Sequence, residues 1–335
     1  MSGATGVRAP GRCGGAALLA AMITVALVAT LAAGALWRQW RGVEVEAAER
    51  ARVQSAWLLS GALDWSRLIL SGDLSEDQKR QRNSNEPLTD HLGEPWAVPL
   101  AEARLSSFLA AGESSTDTDR EAFLSGQIVD LQSRLNVMNL AARDKRKALE
   151  RFDRLFSLLG LPSTELGALQ RNLTRAQAAM SGGGDGTDAP LMPRRFEQLA
   201  WLGLAPATLE QLRPYVTLLP TQGDAPTPVN LNTASAEVIY AAVPGLDLSG
   251  AQRLVSERER AYLKDPAAAV TSVAPSGQAL DTSWTAVASA FFQVRARLRL
   301  DQVALEEESA VRRDAPQRVV PLWRERTALS VQAPR

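Results

Sequence analysis

Residues 16–36 read AALLAAMITVALVATLAAGAL and contain no charged side chain and no proline. At a helical rise of about 1.5 Å per residue, this stretch would span roughly the 30 Å of a bilayer core. A short basic leader precedes it and ends with Gly14 and Gly15. Because the chain beyond Trp37 is polar enough for a soluble domain, the sequence predicts one membrane anchor that holds a folded domain off the membrane.

The apolar stretch admits three interpretations. It can be an uncleaved signal anchor, or a secretory signal cut after Ala35, because residues 33–35 have the small-x-small form of a signal-peptidase site. Its length exceeds the roughly 7–15 apolar residues usual in such signals. In the third interpretation the leader is removed after Gly15 and the helix stays on the product, as in the type IV pilins and pseudopilins that this segment resembles. The rest of the chain favours the third interpretation.

The charges that flank the apolar stretch give a divided signal on its orientation. Arg8 and Arg12 favour a cytoplasmic N terminus. Arg38 and Arg41 lie on the other side and favour the reverse, so these residues alone leave the orientation open.

The composition excludes several classes of protein. The 335-residue chain has 37 basic and 37 acidic residues, so no overall positive field points to nucleic acid. Its one cysteine, Cys13, lies in the leader, so a trimmed product has no disulfide and no thiolate metal site. Its one histidine, His91, follows Asp90 in a polar segment, which is typical of a surface loop and not of a catalytic triad. The sequence also has no zinc motif and no phosphate-binding glycine loop, and we therefore expect a protein that is not an enzyme.

The helical pattern continues beyond the membrane segment. Apolar residues recur at helical spacing between charged ones, namely Val45, Ala48, Val53, Ala56, Leu59, Leu63 and Ile69. The sequence predicts a continuous or gently kinked helix over about 16–70, with Gly42 as its weak point and with its outer half packed on a globular domain. Residues 72–90 are polar and are expected to form a loop.

The clearest strand signal lies near the C terminus. Residues 291–300 read FFQVRARLRL and alternate strictly between apolar and polar side chains from Phe292 onward. Residues 303–311 are expected to return as the partner strand after a turn at 301–302, and residues 319–324 to form a last strand.

That turn sets the register of the predicted hairpin. The expected pairs are Leu298 with Leu305 on the apolar side, and Arg297 with Glu306 and Arg295 with Glu308 on the polar side. Each opposed pair contributes about 0.2–1 kcal/mol. Glu307 falls on the apolar face, which suggests a frayed or edge position.

The middle of the chain has a different character from its two ends. Residues 127–131 and 134–138 are expected to form a hairpin, and from about 140 to 280 the pattern becomes helical, with a linker at 181–189, SGGGDGTDA. Strands that flank an insert usually rejoin in one sheet. The sequence therefore predicts an α+β fold with a long N-terminal transmembrane helix, an antiparallel sheet and a large all-α insertion domain.

Four stretches, in order along nearly the whole chain, resemble one known family. They are the leader that ends in Gly14-Gly15, GQIVDLQSRLNVMNL at 126–140, PVNLNTASAEVIYAAVPGL at 228–246 and SAFFQVRARLRL at 289–300. Together they resemble minor pseudopilin K of the type II secretion system, also called general secretion pathway protein K.

This resemblance implies a fold, a place in the cell and a function. It implies a pilin-like α/β domain with a large helical insertion, anchored by a single pass in the bacterial inner membrane with its C-terminal domain in the periplasm. It implies that prepilin peptidase cuts between Gly15 and Ala16, with methylation of the product. It also implies a structural role at the tip of the pseudopilus, with minor pseudopilins I and J as partners, in initiating assembly and protein export across the outer membrane.

The expected divisions of the chain combine the pattern with the resemblance. They are a cleaved leader (1–15), a transmembrane helix (16–36), a helix extension with the first part of the α/β domain (37–139), a helical insertion domain with a helix-hairpin-helix-like segment (140–285) and C-terminal strands that complete the α/β domain (286–335).

Ala20 would be the fifth residue of a product that begins at Ala16. Most pilins and pseudopilins carry a glutamate there, which is thought to pair with the N-terminal amine of a neighbouring subunit, since a buried carboxylate is costly unless paired. Ala20 cannot make this contact, which suits the end of a filament better than a repeating lateral position. The alternative is that Ala20 is one more apolar residue of the anchor.

The strongest rival signal is the stretch 229–258, which resembles the helix-hairpin-helix of DNA-binding proteins, including membrane-anchored receptors for DNA uptake. Such modules bind phosphate through backbone N–H groups of a Gly-x-Gly hairpin. Here Gly245 is present, but Asp247 replaces the second glycine and would repel phosphate, and Gly250 stands where these modules often carry lysine.

The alternative interpretation of this stretch is a compact helical packing unit. Ser249 is expected to cap its second helix, with Gln252 completing a capping box. The arginines at positions 253, 258 and 260 alternate with acidic residues, as on a solvated face. We expect Asn230, Asn232 and Thr233 to tie the preceding loop to the helix start, so this interpretation predicts no nucleic-acid partner.

A metal site without catalysis is a further candidate. Asp117, Asp119 and Glu121 alternate in one segment and offer the oxygen ligands that calcium prefers, although a charged loop in water has the same pattern. Asp185 and Asp188 in the glycine-rich segment are a weaker candidate.

Overall fold

The structure is a computed structural model, and it describes residues 14–105, 122–142, 144–180, 182, 188–221, 225–274, 280–300, 303–316 and 318–330. These residues belong to two compact units, Met1–Trp57 and Leu58–Arg335. Cys13, Asp185 and the candidate calcium ligands Asp117, Asp119 and Glu121 lie outside the described residues.

The first unit is dominated by helix α1, which runs over Gly14–Ser84 and continues into the second unit. Its apolar segment is exposed along its whole length, with a mean hydropathy of 2.4 and none of it buried inside the protein. An uncharged helix of this length has every backbone hydrogen bond satisfied within itself and can lie in lipid. The predicted transmembrane anchor is therefore present as a helix long and apolar enough to cross a membrane.

The second unit contains the remaining helices and all of the described strands. The helices are α2 (Lys145–Leu159), α3 (Ser163–Met180), α4 (Pro206–Leu212), α5 (Ala236–Ala242), α6 (Leu248–Arg260) and α7 (Pro266–Val273). The strands are β1 (Leu100–Arg104), β2 (Ala122–Asp130), β3 (Leu135–Asn136), β4 (Val216–Thr217), β5 (Val229–Asn230), β6 (Thr285–Ala286), β7 (Phe291–Leu300), β8 (Val303–Ala315) and β9 (Arg318–Ser330). Short 3₁₀ helices lie at Pro95–Ala97, Leu131–Ser133, Val137–Ala141 and Phe196–Leu202.

The predicted loop at 72–90 is wrong in its first part, because α1 ends only at Ser84. Leu70, Leu74 and Asp77 follow one another at helical spacing, and all three are buried. Asp77 Oδ2 accepts a hydrogen bond of 3.3 Å from the backbone N–H of Thr89, which brings the following chain back against the helix. This polar segment therefore stays helical because one face is anchored by tertiary contacts, an effect that outweighs its high polarity.

The main sheet has five antiparallel strands in the order β1-β2-β7-β8-β9. Strand β2 precedes the helical insert and β7 follows it, and the two pair directly, with Ile128 opposite Val294. The α+β prediction is confirmed in this respect. The register of the C-terminal hairpin is also confirmed, since Leu298 faces Leu305 and Arg297 faces Glu306.

The predicted hairpin at 127–131 and 134–138 is wrong. Its first half belongs to β2, and its second half contains only the two-residue strand β3, which pairs in parallel with β4. The chain turns out of the sheet at Asp130, whose Oδ1 accepts a 2.7 Å hydrogen bond from the N–H of Gln132. A contact far along the chain then fixes the new direction, since Leu135 N donates to Tyr215 O at 2.9 Å.

The predicted frayed position of Glu307 is also wrong. Strand β8 lies between β7 and β9, and the side chain of Glu307 is fully buried. Its Oε2 atom accepts a hydrogen bond of 2.6 Å from Arg326, and its carboxylate also forms an ion pair with Arg324. The last strand extends well beyond the predicted 319–324, and this extension supplies Arg326 as a partner. A carboxylate on an apolar face is therefore tolerated because the neighbouring strand brings it a counterion.

Two apolar clusters position the parts of the second unit. The buried residues of α1 that follow Trp57 pack on the sheet, where Leu63 and Leu70 share a cluster with Trp96, Ile128, Phe292, Val294, Val311 and Val319. The insert has its own larger cluster, which includes Phe152, Leu155 and Phe156 of α2. Helix α2 ends at Gly160, which adopts the left-handed conformation with φ 65°.

Candidate functional site: the junction of helix, sheet and insert

An arginine of the sheet lies at the centre of the second unit. Arg313 of β8 donates from Nη1 to Asp73 Oδ2 at 2.8 Å and from Nη2 to Asp90 Oδ1 at 2.5 Å. The three side chains are only 2%, 6% and 1% exposed, respectively. Asp73 lies on α1 and Asp90 on the segment after it, so one guanidinium ties the end of α1 to the sheet. Buried charges persist only when they are paired and hydrogen-bonded in this way.

A third carboxylate extends this junction into the helical insert. Asp130, at the end of β2, accepts hydrogen bonds through Oδ2 from Ser289 Oγ and Thr233 Oγ1, both at 2.6 Å, and from Asn230 Nδ2 at 3.0 Å. The same Asn230 amide also donates to the backbone carbonyl of Asp90 at 3.0 Å. Because Asn230 and Thr233 belong to the insert, the network joins the insert to both α1 and the sheet.

Burial changes the acid–base behaviour of this junction. Burial raises the pKa of Asp73 to about 6, with Arg313 opposing the shift, and raises the pKa of Asp130 to about 6, with the hydroxyl of Ser289 opposing it. Glu94 is the extreme case, because burial and the nearby charges of Asp73 and Asp90 raise its pKa to about 8. One oxygen of Glu94 accepts from Trp96 Nε1 at 2.5 Å, while its other oxygen has no hydrogen-bond partner.

The carboxylates of Asp73, Asp90 and Glu94 also form a group whose oxygens lie within 4.8 Å of one another. Such a group has the chemistry of a calcium site. Here the guanidinium of Arg313 already donates to two of the three carboxylates and supplies the positive charge. The arrangement is therefore a buried network of ion pairs within the protein.

The predicted surface loop around His91 is wrong. Asp90 is 1% exposed, and the imidazole of His91 stacks on Tyr262 with ring centroids 4.2 Å apart. Sequence reasoning missed Asp73, Asp130 and Arg313 altogether. No local signal could have found them, because Arg313 lies 240 positions from Asp73 along the chain and their pairing depends on the tertiary fold.

In the helix-hairpin-helix-like segment, a carboxylate of the protein occupies the end that would bind an anion. Asp247, and not Ser249 as predicted, is the N-cap of α6, and its Oδ1 accepts from Gly250 N at 2.8 Å. A Cβ atom on Gly250 would lie 2.6 Å from Leu246 Cδ1, so a lysine does not fit there without rearrangement. The amide that would face a phosphate is thus already occupied by a carboxylate.

The carbonyl groups of this hairpin are occupied as well. Arg154 of α2 donates through Nη2 to Tyr240 O at 2.7 Å and to Leu246 O at 2.6 Å. The predicted solvated arginine face is wrong for Arg258, which is half-buried and donates to two loop carbonyls. Arg253 is exposed as predicted, and it also donates to Val273 O at 3.0 Å. Burial accordingly lowers the pKa of Arg258. These contacts make the hairpin a packing unit and do not favour a DNA-binding function.

The predicted processing residues lie at the start of α1. Gly14, Gly15 and Ala16 belong to its first turn, and Ala20 is an exposed residue one turn further on. Cleavage after Gly15 and the role of Ala20 stay predictions. Of the weaker candidate calcium ligands, Asp188 is described, and its backbone carbonyl accepts a 2.7 Å hydrogen bond from Arg175.

Comparisons with known proteins agree with one another. Two family models, both described as Type II secretion system (T2SS), protein K, match residues 133–221 and 229–294. The type II secretion system protein K of Pseudomonas aeruginosa is 29% identical over 264 residues, which are 73% of this chain and 72% of that protein.

The fold is similar to that of a solved structure. In the crystal structure of the GspK-GspI-GspJ complex from the enterotoxigenic Escherichia coli type 2 secretion system, one chain matches with a TM-score of 0.55 and 16% identity. The match covers 84% of this chain and 98% of that chain.

Proposed function

Because the chain belongs to the type II secretion system protein K family, we propose that it is a structural minor pseudopilin at the tip of the periplasmic pseudopilus. In this role it helps to initiate pseudopilus assembly and protein export across the outer membrane. The chain is anchored by α1 in the bacterial inner membrane, with its C-terminal domain in the periplasm.

The proposal rests on one observation, namely that the rest of the protein leaves one side of α1 uncovered. In the second unit, Trp65 and Leu68 are 50% and 73% exposed, whereas Leu63 and Leu70, on the opposite side of the helix, are 7% and 0% exposed. In the first unit, Trp57 is 74% exposed. Large apolar side chains at helical spacing that the protein itself leaves uncovered suit contact with a partner helix.

The partners that we propose are minor pseudopilins I and J of the same system. A protein of similar fold was crystallised in a complex named GspK-GspI-GspJ, and this supports an equivalent complex for the present chain. The helical insert has its own core, and an additional domain of this size suits the end of a thin filament better than a repeating position. Ala20 agrees with this placement, because it has no carboxylate to offer a neighbouring subunit.

Substitution of Trp65 with glutamate is expected to weaken the complex with pseudopilins I and J by roughly 2 kcal/mol or more, as loss of an aromatic anchor does at protein interfaces. Co-purification of the three full-length proteins from detergent-solubilised membranes measures this loss. The matched control is Trp201→Glu, since Trp201 is 53% exposed on the insert and should tolerate the change. Equal complex yields from the two variants, or no complex with the parent chain, would reject the proposed role.

We also propose that prepilin peptidase removes the leader between Gly15 and Ala16. Intact-mass spectrometry of the membrane-extracted chain should give a first residue of Ala16, and Gly15→Leu should keep the leader attached. Gly34→Leu is the control, because Gly34 lies inside the apolar segment and a Cβ there meets no atom within 4 Å. A product that begins after Ala35 would show that the segment is a secretory signal instead.

A further inference from the structure

Two tryptophans and two arginines directly follow the apolar segment of α1. Residues 37–41, here called the Trp-Arg segment, read WRQWR, and Trp37, Arg38, Trp40 and Arg41 are all exposed. At about 3.6 residues per turn, these four side chains start within roughly 160° of the helix circumference. All of them belong to the first unit. The segment therefore presents aromatic and cationic groups together on one side of α1.

The position of the Trp-Arg segment matches the headgroup layer of a bilayer. If residues 16–36 cross the hydrocarbon core, residue 37 lies at the boundary of that core. The headgroup layer on each side of a bilayer is about 5–7 Å thick, and five helical residues rise about 7.5 Å. Glu44 and Glu46 follow at about 12 and 15 Å from the end of the apolar segment, measured along the helix axis. The cationic groups therefore lie at the level of the lipid phosphates, and the first carboxylates lie beyond it in water.

The two guanidinium groups of this segment are available to an anion. The guanidinium of Arg41 lies 4.1 Å from the ring centroid of Trp37, which is one turn nearer the apolar segment. Helical side chains incline towards the N terminus, so Arg41 extends back towards the bilayer. Among the residues that the structure describes, neither Arg38 nor Arg41 has an ion-pair or hydrogen-bond partner, whereas Arg50 further along α1 pairs with Glu46. A planar guanidinium can donate two parallel hydrogen bonds to a phosphate.

We propose that the Trp-Arg segment binds phospholipid headgroups of the periplasmic leaflet, with Arg38 and Arg41 on the lipid phosphates and the two indole rings at the boundary with the acyl chains. This inference rests on the membrane anchoring and orientation of α1 proposed above. Tryptophan suits that boundary because its ring is apolar and its N–H is polar. The positive-inside rule disfavours arginine on the periplasmic side, and attraction to anionic lipid offsets that bias. The bound headgroups fix the depth of α1 in the bilayer.

Tryptophan fluorescence of the full-length chain in lipid vesicles tests this site. The vesicles contain equal amounts of phosphatidylglycerol and phosphatidylcholine, and only one of the two lipids carries bromine, placed near the glycerol end of its acyl chains. Because bromine quenches nearby tryptophan, the two preparations report which lipid lies beside the Trp-Arg segment. Brominated phosphatidylglycerol should quench more, with an association constant about fivefold higher, the factor expected for one arginine at an anionic surface. Joint substitution of Trp37 and Trp40 with phenylalanine should remove most of this difference.

Arg38→Gln combined with Arg41→Gln should make the two lipids quench alike. The matched control is Arg50→Gln combined with Arg52→Gln, which removes the same charge from exposed positions of α1 more than about 20 Å beyond the apolar segment and should leave the preference intact. Equal quenching by both lipids in the parent chain, or an equal effect of the two double substitutions, overturns the lipid site and leaves the proposed tip role standing. A parent chain that does not float with the vesicles in a density gradient overturns both the lipid site and the membrane anchor.

Discussion

Substitution of Arg313 with leucine is expected to lower the free energy of unfolding by about 3–5 kcal/mol. The change leaves Asp73 and Asp90 buried without their counterion, and it also removes the 3.0 Å hydrogen bond from Arg313 to Ser289 O. Because the same guanidinium connects α1, the sheet and the segment before β7, its loss should loosen all three. Urea unfolding of the detergent-solubilised full-length chain, followed by circular dichroism, measures the effect.

The neighbouring residue provides the control for this experiment. Arg312 lies on the other side of β8 and pairs with Asp314 at 2.6 Å, with both side chains partly exposed. A pair in contact with solvent contributes about 0–1 kcal/mol, so Arg312→Leu should have a small effect. Adding Asp73→Asn and Asp90→Asn to Arg313→Leu should restore part of the lost stability, because no buried charge then lacks a partner. Equal effects of the two single substitutions would show that the junction is not a buried ion pair.

Glu94 is expected to make the protein less stable as the pH rises. Its pKa is raised from 4.5 to about 8 in the folded chain, so between these values the folded state binds more protons than the unfolded state. Stability falls with pH under this condition, and the contribution is complete below pH 4.5 and lost as the pH passes about 8. Asp73 and Asp130 act in the same direction between 3.8 and about 6.

Glu94→Gln should therefore stabilise the chain at high pH, by roughly 2–4 kcal/mol, because each unit of pKa shift corresponds to about 1.4 kcal/mol. Glutamine keeps an acceptor for Trp96 Nε1 and removes the charge. The difference from the parent should vanish below pH 4.5, where Glu94 is protonated in both states. The measurement is urea unfolding across this pH range. Glu150→Gln, an exposed change on α2, should leave the pH dependence of the parent unaltered, and a parent slope of opposite sign would refute the assignment.

The parts of the fold that the sequence predicted correctly are those with a strong local pattern. The apolar run that begins at Ala16 is read from composition alone, and the alternation over 291–300 sets both the strand and its register with β8. In each case the decisive residues are close together in sequence.

The errors have a common physical origin in contacts between distant residues. The helix continues to Ser84 because Leu74 and Asp77 meet other parts of the second unit, although the local sequence is highly polar. Residues 134–138 do not join the main sheet because β3 pairs with β4, which lies about 80 positions later in the chain. Glu307 is central and not at an edge because β9 is longer than its apolar pattern indicates.

The amino-acid sequence alone determined the membrane anchor, the α+β class, the C-terminal hairpin register and the family resemblance, because periodicity and ordered motifs are properties of neighbouring residues. The tertiary structure alone decided which charges are buried and what neutralises them. Arg313 pairs with Asp90, which lies 223 positions away along the chain. Desolvation and charge pairing depend on distances in space, and a charged residue has the same letter in the sequence whether it lies in water or in the core.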